Sequence, residues 1–276
     1  MRALALAAAL LLTSAAVVAA DEITVLCPRG VQAPLAVIAE RFGAEGGHRV
    51  RFAYGTAGAI ARRATEGEPA DVVITAARGL DDLLARGVAV TGTRVSVGAV
   101  GVGIAVRAGT PAPDVSTSEA LKAALLAASS IGYADPARGG QGGTHFAKVI
   151  GQLGLSETLR PKTRLFPEGL EALERTAAGE VGLSAAPISE IVPLTGLTLA
   201  GPLPPSLQAR LAYAAALLAK AKSPEAARAF LAVLATPGSR ETLARGGVDA
   251  GESEGLTPTS RTSLPRPRRA TTRGCP

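Results

Sequence analysis

Hydrophobic positions along the chain follow two periods that alternate from one segment to the next. Glu22–Cys27 is a short, continuous apolar run, typical of a buried strand. Val31–Phe42 instead places its large apolar residues on one face of a helix. Further strands and helices are predicted in alternation at 48–54, Ala59–Thr65, 70–76 and Gly79–Ala85. This βαβαβα order predicts a parallel sheet with right-handed crossovers.

A second set of the same kind follows. Residues 94–109 are β-branched and interrupted by glycines, which predicts either a strand pair or one strand that leaves the first lobe. Ser116 and Glu119 predict a capping box for the helix that comes next. The later helices are predicted at Ala120–Ala128, 142–155, Glu168–Ala178, 223–235 and Ser239–Arg245, and the later strands at 130–136, 162–167, 181–187, 197–204 and 210–219. The prediction is therefore an α/β protein of two lobes, each a mostly parallel sheet flanked by helices.

The lobe boundaries follow from this order. Residues 21–95 and 205–251 are predicted to form lobe 1, and 96–204 are predicted to form lobe 2 as an insertion. Met1-Arg2 and an apolar stretch to Ala20 have the form of a signal peptide cleaved near Ala20. Residues 252–276 lack periodicity and are predicted to be a disordered basic tail. We therefore expect an exported protein.

The excess of positive charge in the sequence lies at the two ends of the chain. Arg2 and the five arginines of 255–276 account for the excess, since removing these six from 29 basic residues leaves 23, against 23 acidic residues. A neutral body does not provide the basic surface that nucleic-acid binding requires. We expect no nucleic-acid partner. The two cysteines, Cys27 and Cys275, are not expected to pair, because one ends a buried strand and the other lies in the tail.

Candidate chemistry is concentrated where strands are followed by helices. Ligands in open α/β sheets bind beyond the carboxyl ends of strands, and helix starts present unpaired N–H groups and a partial positive charge. Glycines there let a ligand approach the main chain closely. The candidate ligand-binding residues at these junctions are Arg29, Gly30, Thr56, Ala57, Gly58, Gly142, Gly143, Thr144, Pro167, Glu168, Ser184 and Ala185.

The sequence contains no local motif for catalysis or cofactor binding. The stretch at 101–109 is not followed by the acidic residue of a dinucleotide fingerprint, and no Walker motif, metal-ligand cluster or local Ser–His–acid set occurs. We expect no cofactor, no metal and no catalytic residue. The alternatives are a sensor, or an enzyme descended from the same fold that uses His145, Arg29, Glu168 or Asp135.

Four stretches resemble a known family. They are Ile23–Phe42, "FAYGTAGAIARRATEGEPADVVITA", "YADPARGGQGGTHFAKVIGQLGL" and Gly179–Pro204. Together they are similar to the molybdate-binding-like periplasmic solute-binding proteins of ABC transporters, over nearly all of 21–250. The resemblance implies a type II periplasmic-binding-protein fold that closes about a hinge on a small anion. It also implies a monomeric protein that delivers its ligand to the permease of an ABC transporter at the inner membrane.

The site residues depart from that family. Molybdate binders supply serine hydroxyls at the first two junctions, where this chain has Gly30 and either Thr56 or Ala57. The tyrosine that they supply from the second lobe matches Ala185. The resemblance therefore implies a divergent branch, and we expect a non-enzymatic protein that binds a molybdate-like oxyanion or another small polar anion.

Overall fold

The computed structural model describes residues 21–249 and contains two five-stranded sheets, one in each lobe. The first sheet has the order β2-β1-β3-β10-β4 and the second the order β7-β6-β8-β5-β9. In each sheet three strands run parallel, and the remaining two join by antiparallel pairing. The predicted two-lobed α/β fold is confirmed.

The first lobe combines its sheet with five helices. Its strands are β1 (Glu22–Pro28), β2 (Arg49–Gly55), β3 (Val72–Ala76), β4 (Val95–Val100) and β10 (Leu211–Leu217). Its helices are α1 (Gln32–Gly46), α2 (Ala57–Thr65), α3 (Ala77–Ala85), α9 (Pro224–Leu234) and α10 (Pro237–Arg245).

The second lobe repeats the arrangement. Its strands are β5 (Val102–Arg107), β6 (Ile131–Ala134), β7 (Thr163–Phe166), β8 (Leu183–Pro187) and β9 (Leu197–Pro202). Its helices are α4 (Ser118–Ala127), α5 (Gln141–Gln152), α6 (Ser156–Leu159), α7 (Gly169–Ala177) and α8 (Ile188–Ile191).

The two lobes are joined where β4 passes into β5 and where β9 returns to β10. Residues 94–109 form two strands, one in each sheet, with Gly101 between them. The first sheet thus extends to Val100, past the predicted boundary at residue 95. At the junction the Gln208 side chain accepts a hydrogen bond from the Val102 N–H at 2.8 Å and donates one to its carbonyl at 2.9 Å. One amide side chain therefore ties the two crossing segments together.

Buried polar groups explain why the "PADVVITA" stretch holds its neighbours in place. The Asp71 carboxylate accepts hydrogen bonds from the N–H groups of Thr24, Lys222 and Ser223, at 2.7–2.9 Å. The Thr75 hydroxyl donates to the carbonyl of Ala57 in the first turn of α2, at 2.7 Å. Because buried polar groups are costly unless they are paired, these bonds fix β3 against β1 and the first turn of α2.

Two local predictions differ from the structure. Helix α4 is capped by Thr117, whose side chain accepts from the Ala120 N–H, and not by Ser116. Helix α1 continues to Gly46 and ends with Gly47 at φ +70°, where glycine avoids the strain of a left-handed conformation. Among residues 21–249, no helix combines the length and the apolar character that a membrane crossing needs. The predicted signal peptide and basic tail lie outside the described residues.

Candidate functional site

A small internal cavity lies between the lobes, at the carboxyl ends of the parallel strands. It measures about 30 Å³ as space for water centres, which is room for about two water molecules. Lobe 1 contributes residues that follow β1 and β2, and lobe 2 contributes residues that follow β6, β7 and β8. The lining residues are Pro28, Arg29, Gly30, Gly55, Thr56, Ala57, Ala134, Gly140, Gln141, Gly142, Glu168, Gly169, Pro187, Glu190 and Tyr213.

Helix starts from both lobes converge on this cavity. Helix α2 begins after Thr56, α5 after Gly140 and α7 after Glu168, and a 3₁₀ turn at Arg29–Val31 leads into α1. The first N–H groups of a helix have no intrahelical partner, and the helix dipole adds a partial positive charge there. The cavity is therefore suited to an anion held largely by main-chain groups.

Close packing of glycines makes the convergence possible. A Cβ on Gly143 would lie 1.9 Å from the Ala134 carbonyl oxygen, so only glycine lets the start of α5 pack against the end of β6. A Cβ on Gly30 would lie 2.4 Å from the Tyr213 hydroxyl and 3.6 Å from Oε1 of Glu190. The lack of a side chain at Gly30 thus leaves room for the Tyr213 hydroxyl and the Glu190 carboxyl beside the cavity.

Arg29 and Glu168 form an ion pair across the cleft. The Arg29 Nε donates to Oε2 of Glu168, and its Nη1 donates to the Gln32 side chain at 3.2 Å. The guanidinium also lies 5.6 Å from the ring centroid of Tyr54, within cation–π range. The two paired side chains are 29 % and 30 % exposed, so solvent screens this pair less than a surface pair. Arg29 is the only arginine or lysine among the residues that line the inner cavity.

Glu190 is the most perturbed carboxyl group of the described chain. It lies in the short helix α8, and a Cβ on Gly169 would approach its Oε2 to 2.8 Å. That oxygen is buried and has no hydrogen-bond partner among residues 21–249. Burial, and secondarily the charge of Glu168, raises the pKa of Glu190 to about 7, although Arg29 opposes the shift. A group with this pKa exchanges a proton readily near neutral pH.

Tyr213 and Gln141 complete the polar lining. Tyr213 comes from the middle of β10, and burial, followed by the charge of Glu190, raises its pKa well above the ordinary value. Its hydroxyl therefore stays protonated at neutral pH. The Gln141 amide lies close enough to oppose this shift, and its Nε2 is buried without a hydrogen-bond acceptor among the described residues. Unpaired buried polar atoms on Glu190 and Gln141 indicate a cavity shaped for a polar ligand.

The structure brings half of the predicted site residues to the inner cavity. These are Arg29, Gly30, Thr56, Ala57, Gly142 and Glu168. Pro167 lies outside it, at the cleft mouth. Gly143 packs against β6, as described above, and Thr144 lies beyond it in α5. His145 is at the lobe junction, where Nε2 contacts the Leu207 carbonyl at 2.7 Å.

Ser184 and Ala185 are buried in β8 and do not line the inner cavity. The Ser184 hydroxyl lies 2.5 Å from that of Thr176 and donates to the Ala172 carbonyl at 3.1 Å, both in α7. It therefore fixes α7 on the sheet in this structure. Side chains alternate between the two faces of a strand. Ser184, three residues before Pro187, therefore faces the side of the sheet opposite to Pro187, which lines the inner cavity.

The lobes touch each other directly around the cavity. Gly58 N donates to the Gly139 carbonyl at 3.0 Å, and the Thr56 hydroxyl donates to the Arg138 carbonyl at 2.6 Å. The same Thr56 oxygen accepts from the Ala59 N–H and caps α2. On the other side of the cavity, the Ser189 hydroxyl donates to the Gly30 carbonyl at 2.5 Å. The structure is a closed form. In it the Thr56 hydroxyl donates its hydrogen to the Arg138 carbonyl of the other lobe and has none left for a ligand.

Sequence reasoning missed Glu190, Tyr213 and Gln141. Glu190 had a usable signal, because "PISEI" begins a helix directly after a buried strand, as the chosen junctions do. Gln141 lies at the first position of α5 and had the same signal. Tyr213 had none, because it lies within a strand. Within 21–249, no three His, Cys, Asp or Glu side chains come together as a metal site.

The stability of the unliganded protein is expected to fall as pH rises from about 5 to about 7. In this interval the folded chain retains the Glu190 proton that the unfolded chain, with its ordinary value of 4.5, releases. The stabilisation is complete below the unfolded pKa and is lost as pH rises through the folded pKa, by at most about 1.4 kcal/mol per pH unit. Urea unfolding at pH 5, 6, 7 and 8 measures it. Glu190→Gln should remove this slope, and equal slopes in both proteins would contradict the assignment.

The fold agrees with the comparisons with known proteins. Residues 23–249 match the family of bacterial extracellular solute-binding proteins, and the chain belongs to this family. Related extracellular proteins of this kind are periplasmic, in line with the predicted export. The cleavage near Ala20 remains a prediction.

Solved structures show the same fold at low sequence identity. The periplasmic molybdate-binding protein of Azotobacter vinelandii has a TM-score of 0.69 and 19% identity, over 82% of this chain and 98% of that one. The sulfate-binding protein of Mycobacterium tuberculosis has a TM-score of 0.64 and 18% identity, over 83% and 86%. The resemblance to periplasmic molybdate-binding-like proteins is therefore confirmed at the level of the fold.

One relative overturns the expectation that the protein is not an enzyme. A Pseudomonas sp. protein named aconitate isomerase is 32% identical over 250 residues, which are 87% of this chain and 93% of that protein. A relative that is an enzyme contradicts a purely non-enzymatic interpretation. That interpretation rested on the resemblance to solute-binding proteins and on the lack of a catalytic motif in the sequence, whereas the titratable groups of this cavity meet only in the folded chain.

Proposed function

We propose that this protein binds a small carboxylate between its lobes and isomerises it by proton transfer, with Glu190 as the group that takes up and returns the proton. The Glu190 carboxyl, whose Oε2 is buried without a hydrogen-bond partner among residues 21–249 and whose pKa is raised to about 7, carries this proposal. Perturbed titratable groups in clefts are typical of catalytic sites. The related aconitate isomerase supports the reaction class.

The chemistry requires only one acid–base group. Aconitate has a central carbon that is double-bonded to one CH–carboxylate arm and single-bonded to one CH₂–carboxylate arm. When Glu190 removes a proton from the CH₂ arm, the C–H electron pair forms a new double bond to the central carbon. The electrons of the old double bond then take a proton from the Glu190 carboxyl at the other arm. The two arms exchange roles, the double-bond geometry is set anew, and Glu190 is again ionised.

The other groups of the cavity assist this proton shift. Negative charge spreads onto the ligand carboxylates as the first proton leaves, and the helix N–H groups and Arg29 are placed to stabilise it. Tyr213 stays protonated, so it is a hydrogen-bond donor to the same charge. No electrons enter or leave the ligand, so the reaction needs no redox cofactor.

A second candidate function is ligand capture for an ABC permease, which the family and the two-lobed closure favour. Such a protein would hold a small anion, for example a molybdate-like oxyanion, without changing it. A buried carboxyl such as Glu190 has no role in holding an oxyanion, whereas proton transfer on a carboxylate substrate requires a group of this kind. This difference favours the isomerase.

The test is an isomerisation assay of the purified full chain. With cis- or trans-aconitate in D₂O and a metal chelator present, we expect interconversion together with deuterium in the CH and CH₂ positions, because solvent exchanges with the protonated Glu190. Proton NMR follows both. Aconitate that binds but neither interconverts nor exchanges would instead identify a transport protein.

A further inference from the structure

The cleft mouth contains a second cavity directly outside the inner one. It measures about 280 Å³ as space for water centres, against about 30 Å³ for the inner cavity. Thr56 and Glu168 line both cavities, so the ion pair of Glu168 with Arg29 lies at the partition between them. The inner cavity alone has room for about two water molecules. A ligand with several carboxylates therefore does not fit within the inner cavity alone.

Two arginines from opposite lobes line the outer cavity. Arg62 lies in α2 of lobe 1, and Arg138 lies in the 3₁₀ turn (Pro136–Arg138) before α5 of lobe 2. Both are exposed. Neither guanidinium is paired with a carboxylate among residues 21–249. Arginine is well suited to carboxylates, because its planar group donates two parallel hydrogen bonds.

We propose that the outer cavity is a second carboxylate subsite, in which Arg62 and Arg138 bind one carboxylate of a polycarboxylate ligand while another replaces Glu168 on Arg29. The proposal rests on the proposed function and specifies its substrate class. Together the cavities contain three guanidinium groups and the carboxyls of Glu168 and Glu190. With Glu190 ionised, as the reaction requires at its start, this leaves a surplus of one positive charge for the ligand, and with Glu190 protonated a surplus of two.

The positions of the two arginines also relate the subsite to closure. A carboxylate held by Arg62 and Arg138 touches both lobes at once, beside the interlobe bond between Thr56 and the Arg138 carbonyl. A ligand can favour a closed form only through contacts that the open form lacks. A monocarboxylate that reaches Arg29 alone does not make the outer contacts.

The experiment uses three ligands on one carbon skeleton: butyrate, glutarate and tricarballylate, with one, two and three carboxylates. None has a double bond, so none can be turned over. NMR titration of the full chain gives their dissociation constants for the wild type and for Arg62→Gln/Arg138→Gln. We expect glutarate and tricarballylate to bind the double variant at least about tenfold more weakly. Butyrate should change by less than about twofold.

A control double variant has the same loss of charge. Arg78→Gln/Arg86→Gln removes two exposed arginines in and after α3 that line neither cavity. It should bind all three ligands as the wild type does. If the control weakens glutarate and tricarballylate as much as the cleft variant does, long-range charge explains the effect and the subsite is wrong. The subsite is also wrong if the cleft variant binds all three normally, or loses butyrate equally.

Glu168→Gln tests independently whether a ligand carboxylate replaces Glu168 on Arg29. Without the carboxylate, Arg29 has lost its internal competitor, so tricarballylate should bind several-fold more tightly. Weaker binding would contradict the replacement of Glu168 by the ligand. The two proposals fail separately: isomerisation of aconitate with no dependence of binding on Arg62 and Arg138 overturns the subsite alone. Graded binding without isomerisation overturns the enzyme alone.

Discussion

Replacing Glu190 with glutamine is expected to lower kcat for aconitate isomerisation by about a thousandfold while the dissociation constant changes only a few-fold. General acid–base catalysis contributes roughly 10²–10⁴ in rate, and Glu190 is the carboxyl whose pKa is raised into the neutral range. Glutamine has nearly the same shape but cannot accept a proton from carbon. Binding is retained because Arg29 and the helix N–H groups are unchanged.

The pH dependence sharpens this prediction. The reaction begins with ionised Glu190, so wild-type kcat/KM should rise with pH through about 7, the pKa in the unliganded protein. Glu174→Gln is the matched control, since this exposed carboxylate of α7 lies outside the inner cavity. It should retain full activity and the same pH profile. Wild-type turnover in Glu190→Gln would exclude Glu190 as the base and require another proton acceptor.

The sequence was sufficient for the architecture because its periodicities are local. The alternating strands and helices, and the helix starts after β1, β2, β6 and β7, are each encoded within a short stretch. The predicted junctions therefore meet at one cleft, as the carboxyl ends of parallel strands must. Arg29, Thr56 and Glu168 were chosen by this rule alone, and the structure places all three on the inner cavity.

The position of Tyr213 and the raised pKa of Glu190 were not accessible to the same reasoning. Tyr213 reaches the cavity because β10 runs antiparallel between β3 and β4, a pairing between segments far apart in the chain. Glu190 is perturbed by its burial and by Glu168, and neither effect is visible in "PISEI". The expectation of a non-enzymatic protein failed for this reason. Local motifs reveal groups that are adjacent in sequence, whereas Glu190 and Tyr213 come from different lobes and meet only in the folded chain.

Replacing Gly58 with alanine is expected to weaken ligand binding by roughly ten- to a hundredfold without destabilising the unliganded protein. In the closed form the new Cβ would lie 2.8 Å from the Gly139 Cα and 3.0 Å from its carbonyl oxygen. Both contacts are with backbone of the opposite lobe, and Gly139 is itself at φ +75°, so the lobes must separate slightly. Such overpacking costs about 1–3 kcal/mol, here only in the closed form.

The contrast between stability and binding distinguishes a clash in the closed form from a general loss of folding stability. Gly58 lies in α2, where alanine is the better helix former by up to about 1 kcal/mol. The thermal midpoint of the unliganded variant should therefore be unchanged or higher, while tricarballylate binds weakly and no longer reduces the radius of gyration in X-ray scattering. Gly79→Ala in α3 is the control, since its Cβ would meet nothing closer than 3.8 Å. Normal affinity and normal compaction in Gly58→Ala would show that ligand binding does not require the Gly58–Gly139 contact, and would place the functional closed form at a wider lobe separation than the one seen here.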